Sequence, residues 1–132
     1  MTNQAIVPQG VHPPLGAYSH AVSTRGTGRT LYVSGQLGIS LEGKTPRTFA
    51  EQASQCWRNI VAILAADGMT IHDSVKITTY LTDIGNARSL ASIREPFLQG
   101  ARPASTLIAV AALVMPEWLI EVEAIAFRAD AS

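Results

Sequence analysis

Two carboxylates, Glu121 and Glu123, stand two residues apart in a run, 118–127, that reads as a β-strand. Side chains at i and i+2 of a strand point the same way, so both share a face with Leu119, Ile125 and Phe127. Ile120, Val122, Ala124 and Ala126 take the other face. Apolar residues on both faces predict a strand covered on both sides. A carboxylate in such a strand must find hydrogen-bond donors or keep contact with water. Paired carboxylates in unlike surroundings can divide acid and base roles. The pattern also fits a solvated edge strand, or carboxylates paired with Lys76 or an arginine on a neighbouring strand.

Other reactive side chains carry weaker signals. His12, His20 and His72 have no metal-ligand spacing, and the single cysteine, Cys56, leaves no partner for an intrachain disulfide. Cys56 falls on an apolar helical stripe, where it reads as a small buried hydrophobe rather than a nucleophile. The serines lack a G-x-S-x-G elbow. The glycine turn at 25–28 lacks both the strand-to-helix setting and the Gly-Lys-Ser/Thr of a phosphate loop.

The elements that must position these groups follow from periodicity. Residues 1–17 hold Pro8, Gly10, Pro13, Pro14 and Gly16, which predict irregular chain. Residues 18–24 predict a first strand, and 30–34 its hairpin partner across the glycine turn. Gly35 interrupts that second strand and marks a bulge or a close backbone approach. Thr48 and Glu51 have capping-box spacing at the head of a helix. Its apolar stripe is Phe49, Ala53, Cys56, Trp57, Ile60, Ile63 and Leu64, and Gly68 is its stop. Residues 74–82 alternate as a strand, and 86–99 predict a second helix that Pro96 kinks or shortens. Strands at 102–110 and 118–127 close the chain. The order β-β-α-β-α-β-β predicts an α+β fold, one mixed sheet with both helices on one face.

The chain has 132 residues, enough for one domain over 1–132. Its net charge is zero, with 10 Lys and Arg scattered singly, which argues against electrostatic capture of nucleic acid or an anionic membrane. Only 15% of residues are charged, against about 25% in ordinary domains. That shortfall, with a sheet face left bare by the helices, predicts a homo-oligomer. No signal peptide and no apolar run of membrane-spanning length is visible, so the expected location is cytoplasmic.

Four segments taken together resemble the Rid/YjgF family of enamine and imine deaminases: Gly16 to Tyr18; Leu31 to Gln36 with its Ser-Gly-Gln; Pro103 to Leu107; and Ile120 to Ala126. The resemblance spans nearly the whole chain. It implies a chorismate-mutase-like fold, a homotrimer whose sheets form a central barrel, and substrate clefts between subunits. It implies hydrolysis of 2-aminoacrylate and related enamines or imines to 2-keto acids and ammonia, with no metal or cofactor. By the same resemblance Glu121 handles the attacking water and Tyr18 stands at the cleft, while Ser34, Gly35, Ser105 and Leu107 contact substrate. The chain departs from the family where Ser105 replaces an arginine that grips the substrate carboxylate, where Leu107 replaces a cysteine, and at Ala91, where an asparagine is usual. Arg102 falls on the opposite face of a continued strand. Arg25, Arg29, Arg88 and Arg94 are the candidates for a compensating cation. A non-catalytic metabolite-binding or regulatory trimer is the alternative reading.

Overall fold

The computed structural model describes residues 3–131. Four strands form one mixed sheet: β3 (Gly28–Leu37), β4 (Ser74–Leu81), β5 (Ala104–Ala109) and β6 (Ile120–Ala129), in the order β3-β6-β4-β5. β6 runs antiparallel to both neighbours, and β5 pairs parallel with β4. Two helices, α1 (Phe49–Ala66) and α2 (Ala87–Leu98), follow β3 and β4. Two expectations fail at the N-terminus. Gln4–Ile6 is a strand, β1, despite the prolines that follow it. Its antiparallel partner is β2 (Ala21–Ser23), so β2 makes no hairpin with β3. The glycine turn instead leads directly into β3.

The helices form where the sequence periodicity places them. Thr48 caps α1, its side-chain oxygen accepting from Glu51 N at 3.2 Å. The returning Glu51 bond of a full capping box is absent among the described residues, whereas Thr70 and Asp73 make both halves at the turn before β4. Gly68 adopts φ +70° and ends α1. α2 continues through Pro96 to Leu98 and stops at Gln99, which is left-handed at φ 49°. Proline so near the end removes only a late backbone donor.

Both helices bury one face of the sheet. Trp57, Ile60 and Leu64 of α1 and Leu90 and Leu98 of α2 share a core with Ile77, Leu81, Ile120, Val122 and Ala126. β6 buries every second residue, in the row that begins at Ile120. The other face is open within one chain: Tyr32 is 75% exposed and Ile108 43%. Helix cover on one side only is therefore the finding for β6, and its carboxylates lie on the open side.

Cys56 sits fully buried in this core, its thiol donating to Gln36 O at 3.2 Å. Burial, and then the negative charge of Glu121, push that thiol up to about 12. The raised value makes it inert as a nucleophile near neutral pH. Its contribution to stability is intact below the ordinary value of 9.0 and is lost as pH rises from there toward about 12. Thermal melts across that window should fall less steeply for Cys56→Ala than for wild type. Equal slopes would mean that another group carries the alkaline limb.

Candidate functional site

Glu121 owes its position to a break in its neighbour. β3 pairs with β6 in register up to Val33↔Ala124, shifts, and resumes at Gln36↔Val122. Ser34 and Gly35 fill the shift as a bulge, which re-aims the strand locally. A Cβ on Gly35 would collide with Glu121 Oε1 and lie 2.7 Å from the carboxyl carbon and 2.9 Å from Cγ. Glycine there is a notch that seats the carboxylate, the close approach expected at that position. Glu121 stays half-buried, and among the described residues no hydrogen bond holds its oxygens.

Glu123 has a different environment. Tyr80, on β4, donates to Glu123 Oε1 at 2.5 Å. Its phenol is raised above the usual value, first by that hydrogen bond and then by burial and by the charges of Glu123 and Glu121. Tyr80 lies opposite Glu121 in the β4–β6 register, so its ring stands beside both carboxylates. Lys76 does not pair with either carboxylate, since its Nζ donates to Thr106 Oγ1 at 2.7 Å. β6 is a central strand, so the solvated-edge reading is excluded as well. The result is one carboxylate fixed by a phenol and one with no donor among the described residues. A hollow of ≈ 290 Å³ opens beside Glu123, lined by Tyr32, Ser34, Lys76 and Thr78 among others, and Glu121 is not in its lining. Tyr80 gave no sequence signal beyond its place in an alternating strand; only the β4–β6 register reveals it.

The remaining expected site residues lie elsewhere in the chain. Ser105 pairs with Ile77 and Leu107 with Thr79. Both therefore take the helix-covered face of β5, opposite to Glu121, and Leu107 packs against the core. Tyr18 stands at the start of β5, because Ser19 N donates to Pro103 O at 3.1 Å. Its hydroxyl accepts from Leu15 N at 3.2 Å, and its ring meets His20 edge-on at 6.3 Å. One chain thus brings together Glu121, Ser34 and Gly35, and groups Tyr18, Ser105 and Leu107 around a different edge. Arg102 precedes β5 and is not part of it, so a strand-face argument does not apply to it. Arg29 pairs with Asp67, away from the carboxylates. Among the described residues, no three His, Cys, Asp or Glu side chains cluster as a metal site.

The chain matches a protein-family model described as Endoribonuclease L-PSP over residues 10–128. It is 40% identical over 116 residues to a 2-iminobutanoate/2-iminopropanoate deaminase of Rattus norvegicus, covering 86% of this chain and 82% of that one. It is 36% identical over 118 residues to a RutC family protein of Aquifex aeolicus, covering 87% and 91%. A crystal structure of YyfB from Yersinia pestis, a Rid-family protein of unknown function, superposes with a TM-score of 0.87 at 32% identity, covering 96% and 98%. The chain belongs to the Rid/YjgF family. Relatives carrying the deaminase name place imine deamination within that family.

Proposed function

We propose that this protein hydrolyses an enamine or imine to a carbonyl compound and ammonia, with Glu121 handling the water. The observation that carries this reading is the half-buried Glu121 carboxylate, seated in the Gly35 notch with no hydrogen bond from the described residues. Such a group can accept a proton from water. The water oxygen bonds to the C=N carbon, one of its protons passes to Glu121, and the nitrogen takes a proton from solvent. The tetrahedral adduct then loses ammonia as the C=O bond forms, Glu121 giving its proton to the departing nitrogen while the hydroxyl proton passes to solvent. No cofactor enters that balance. A pure binding site would be better served by a carboxylate already held by a donor, as Glu123 Oε1 is by Tyr80.

In this reading one Rid-like domain over 1–132 assembles as a homotrimer through its open sheet face. That assembly answers a geometric problem. Glu121, Ser34 and Gly35 face one way while Tyr18, Ser105 and Leu107 lie around β5. A cleft between two copies can combine the two groups, which one chain keeps apart. A ribonuclease reading has less support, since the net charge is zero and the basic residues are scattered. The non-catalytic trimer remains the second reading, favoured by Ser105, which offers no charge to a substrate carboxylate.

The test is ammonia release, with a pyridoxal-phosphate dehydratase generating 2-aminoacrylate or 2-iminobutanoate in situ. Acceleration by wild type is the expected result. If wild type is silent and Ser105→Arg is active, the natural substrate lacks a carboxylate handle at that position. Silence from both proteins, each folded, would sink the hydrolase reading.

A further inference from the structure

Helix α1 meets the sheet with a polar row as well as an apolar stripe. Gln52, Cys56 and Asn59 stand at i, i+4 and i+7, so all three project from one side of the helix. Each binds backbone groups, and those groups belong to the two segments that adjoin the site. Asn59 Nδ2 donates to Leu37 O at 3.2 Å and to Ile39 O at 3.1 Å. The Cys56 thiol donates to Gln36 O at 3.2 Å and lies 3.9 Å from Ile120 O. Gln52 is only 1% exposed, and its whole amide is engaged. Its Nε2 donates to Pro46 O and to Glu117 O, each at 2.9 Å, and its Oε1 accepts from Leu119 N at 2.9 Å.

The atoms held in this way fix Gly35 against Glu121. Gln36 and Leu37 follow the bulge and form the arm by which β3 resumes its pairing, Gln36 with Val122 and Leu37 with Glu121. So short an arm has little of its own to set its register. Asn59 and Cys56 set it from the helix-covered side. Gly38 lets the helix come this near, because a Cβ there would lie 2.6 Å from Gln52 O and 2.7 Å from Gln52 Cα. On the other strand, Gln52 holds Glu117 and Leu119, which lead into Ile120 and Glu121. One helix of 18 residues therefore locates both the notch and the carboxylate. All these bonds lie within one chain, so the arrangement does not wait on assembly.

We propose that Gln52, Cys56 and Asn59 are positioning residues for Glu121, holding its carboxylate and the Gly35 notch in one fixed relation. They act through backbone and not on substrate. Their effect on rate rests on the hydrolysis reading, whereas their effect on the seat of Glu121 does not. A reacting group displaced by about 1 Å can lose about 10²-fold in rate.

The experiment joins ammonia-release kinetics on an imine made in situ to carbon-13 NMR of the Glu121 side-chain carboxyl, assigned by its loss in Glu121→Gln. Asn59→Leu keeps the approximate size and removes both donors. It is expected to move the Glu121 signal and to lower kcat about 10²-fold with KM within about twofold. Cys56→Ala should move the signal and lower kcat about tenfold, and Cys56→Ser, whose hydroxyl can donate to Gln36 O, should restore both. Ile60→Val trims the buried face of the same helix without touching a polar group, so it should lower the melting temperature and leave kcat and the signal in place. Melting curves verify that each variant is folded, and the Cys56 pair decides if Asn59→Leu is not. If wild type releases no ammonia, the hydrolysis reading falls and the Glu121 signal alone decides the positioning. An unmoved signal in the folded variants, no recovery in Cys56→Ser, or an equal change in Ile60→Val would each overturn the proposal.

Discussion

Glu121→Gln is expected to lower ammonia release by about 10²–10⁴-fold, the usual contribution of a positioned general base. The melting temperature should hardly move. Glutamine has the same shape and can occupy the Gly35 notch, but it cannot take a proton. Glu121 is half-buried and has no partner among the described residues to be left unsatisfied, so its loss removes no native hydrogen bond. Glu123→Gln serves as the contrast, because Tyr80 already donates to that carboxylate and an amide oxygen can accept the same bond. The Glu123 variant should therefore retain far more activity than the Glu121 variant. If the two variants lose activity equally, the division of labour between the carboxylates is wrong.

Gly35→Ala tests the same site from the backbone side. The new methyl meets the Glu121 side chain from Cγ to Oε1, so that side chain must shift as a whole. The stability cost should be modest, about 1–3 kcal/mol for overpacking of this kind. The activity cost should approach that of Glu121→Gln, because the carboxylate no longer sits in its notch. Paired melts and rate measurements separate the two effects. A variant that melts early yet hydrolyses normally would reduce Gly35 to a backbone convenience.

These two residues also mark how far sequence reasoning reaches. The same-face pairing of Glu121 and Glu123 was readable because a strand's period is local. So was the special nature of Gly35, since a glycine inside an apolar strand run has few explanations. The two helices were readable through their stripes and the Thr48 and Gly68 signals, and the chain order of β3, β4, β5 and β6 was legible too. What failed was pairing. A three-residue strand such as Gln4–Ile6 has no period to detect, and its partner lies fifteen residues beyond its own end, at Ala21–Ser23. The proline-rich stretch between them reads as irregular and hides the connection. Hairpin logic linked β2 to β3 because they are adjacent in sequence, whereas the structure gives β2 to β1. Cross-strand facts share this cause. Tyr80 on Glu123, and Ser105 on the face opposite Glu121, depend on the register of strands tens of residues apart.

The placement of β6 has a consequence for how the chain is made. The last strand in the sequence is an inner strand of the sheet, inserted between β3 and β4. Until it leaves the ribosome, those two strands have no sheet neighbour in common, and the buried side of each has incomplete cover. A nascent chain not yet extended to residue 120 thus has two helices and an unpaired gap where the sheet should be continuous. Completion is a late, non-local event, the kind that slows folding and leaves edges exposed while it waits. The strand that closes the sheet also carries Glu121 and Glu123, so the chemistry arrives with the fold, and a truncated chain has neither.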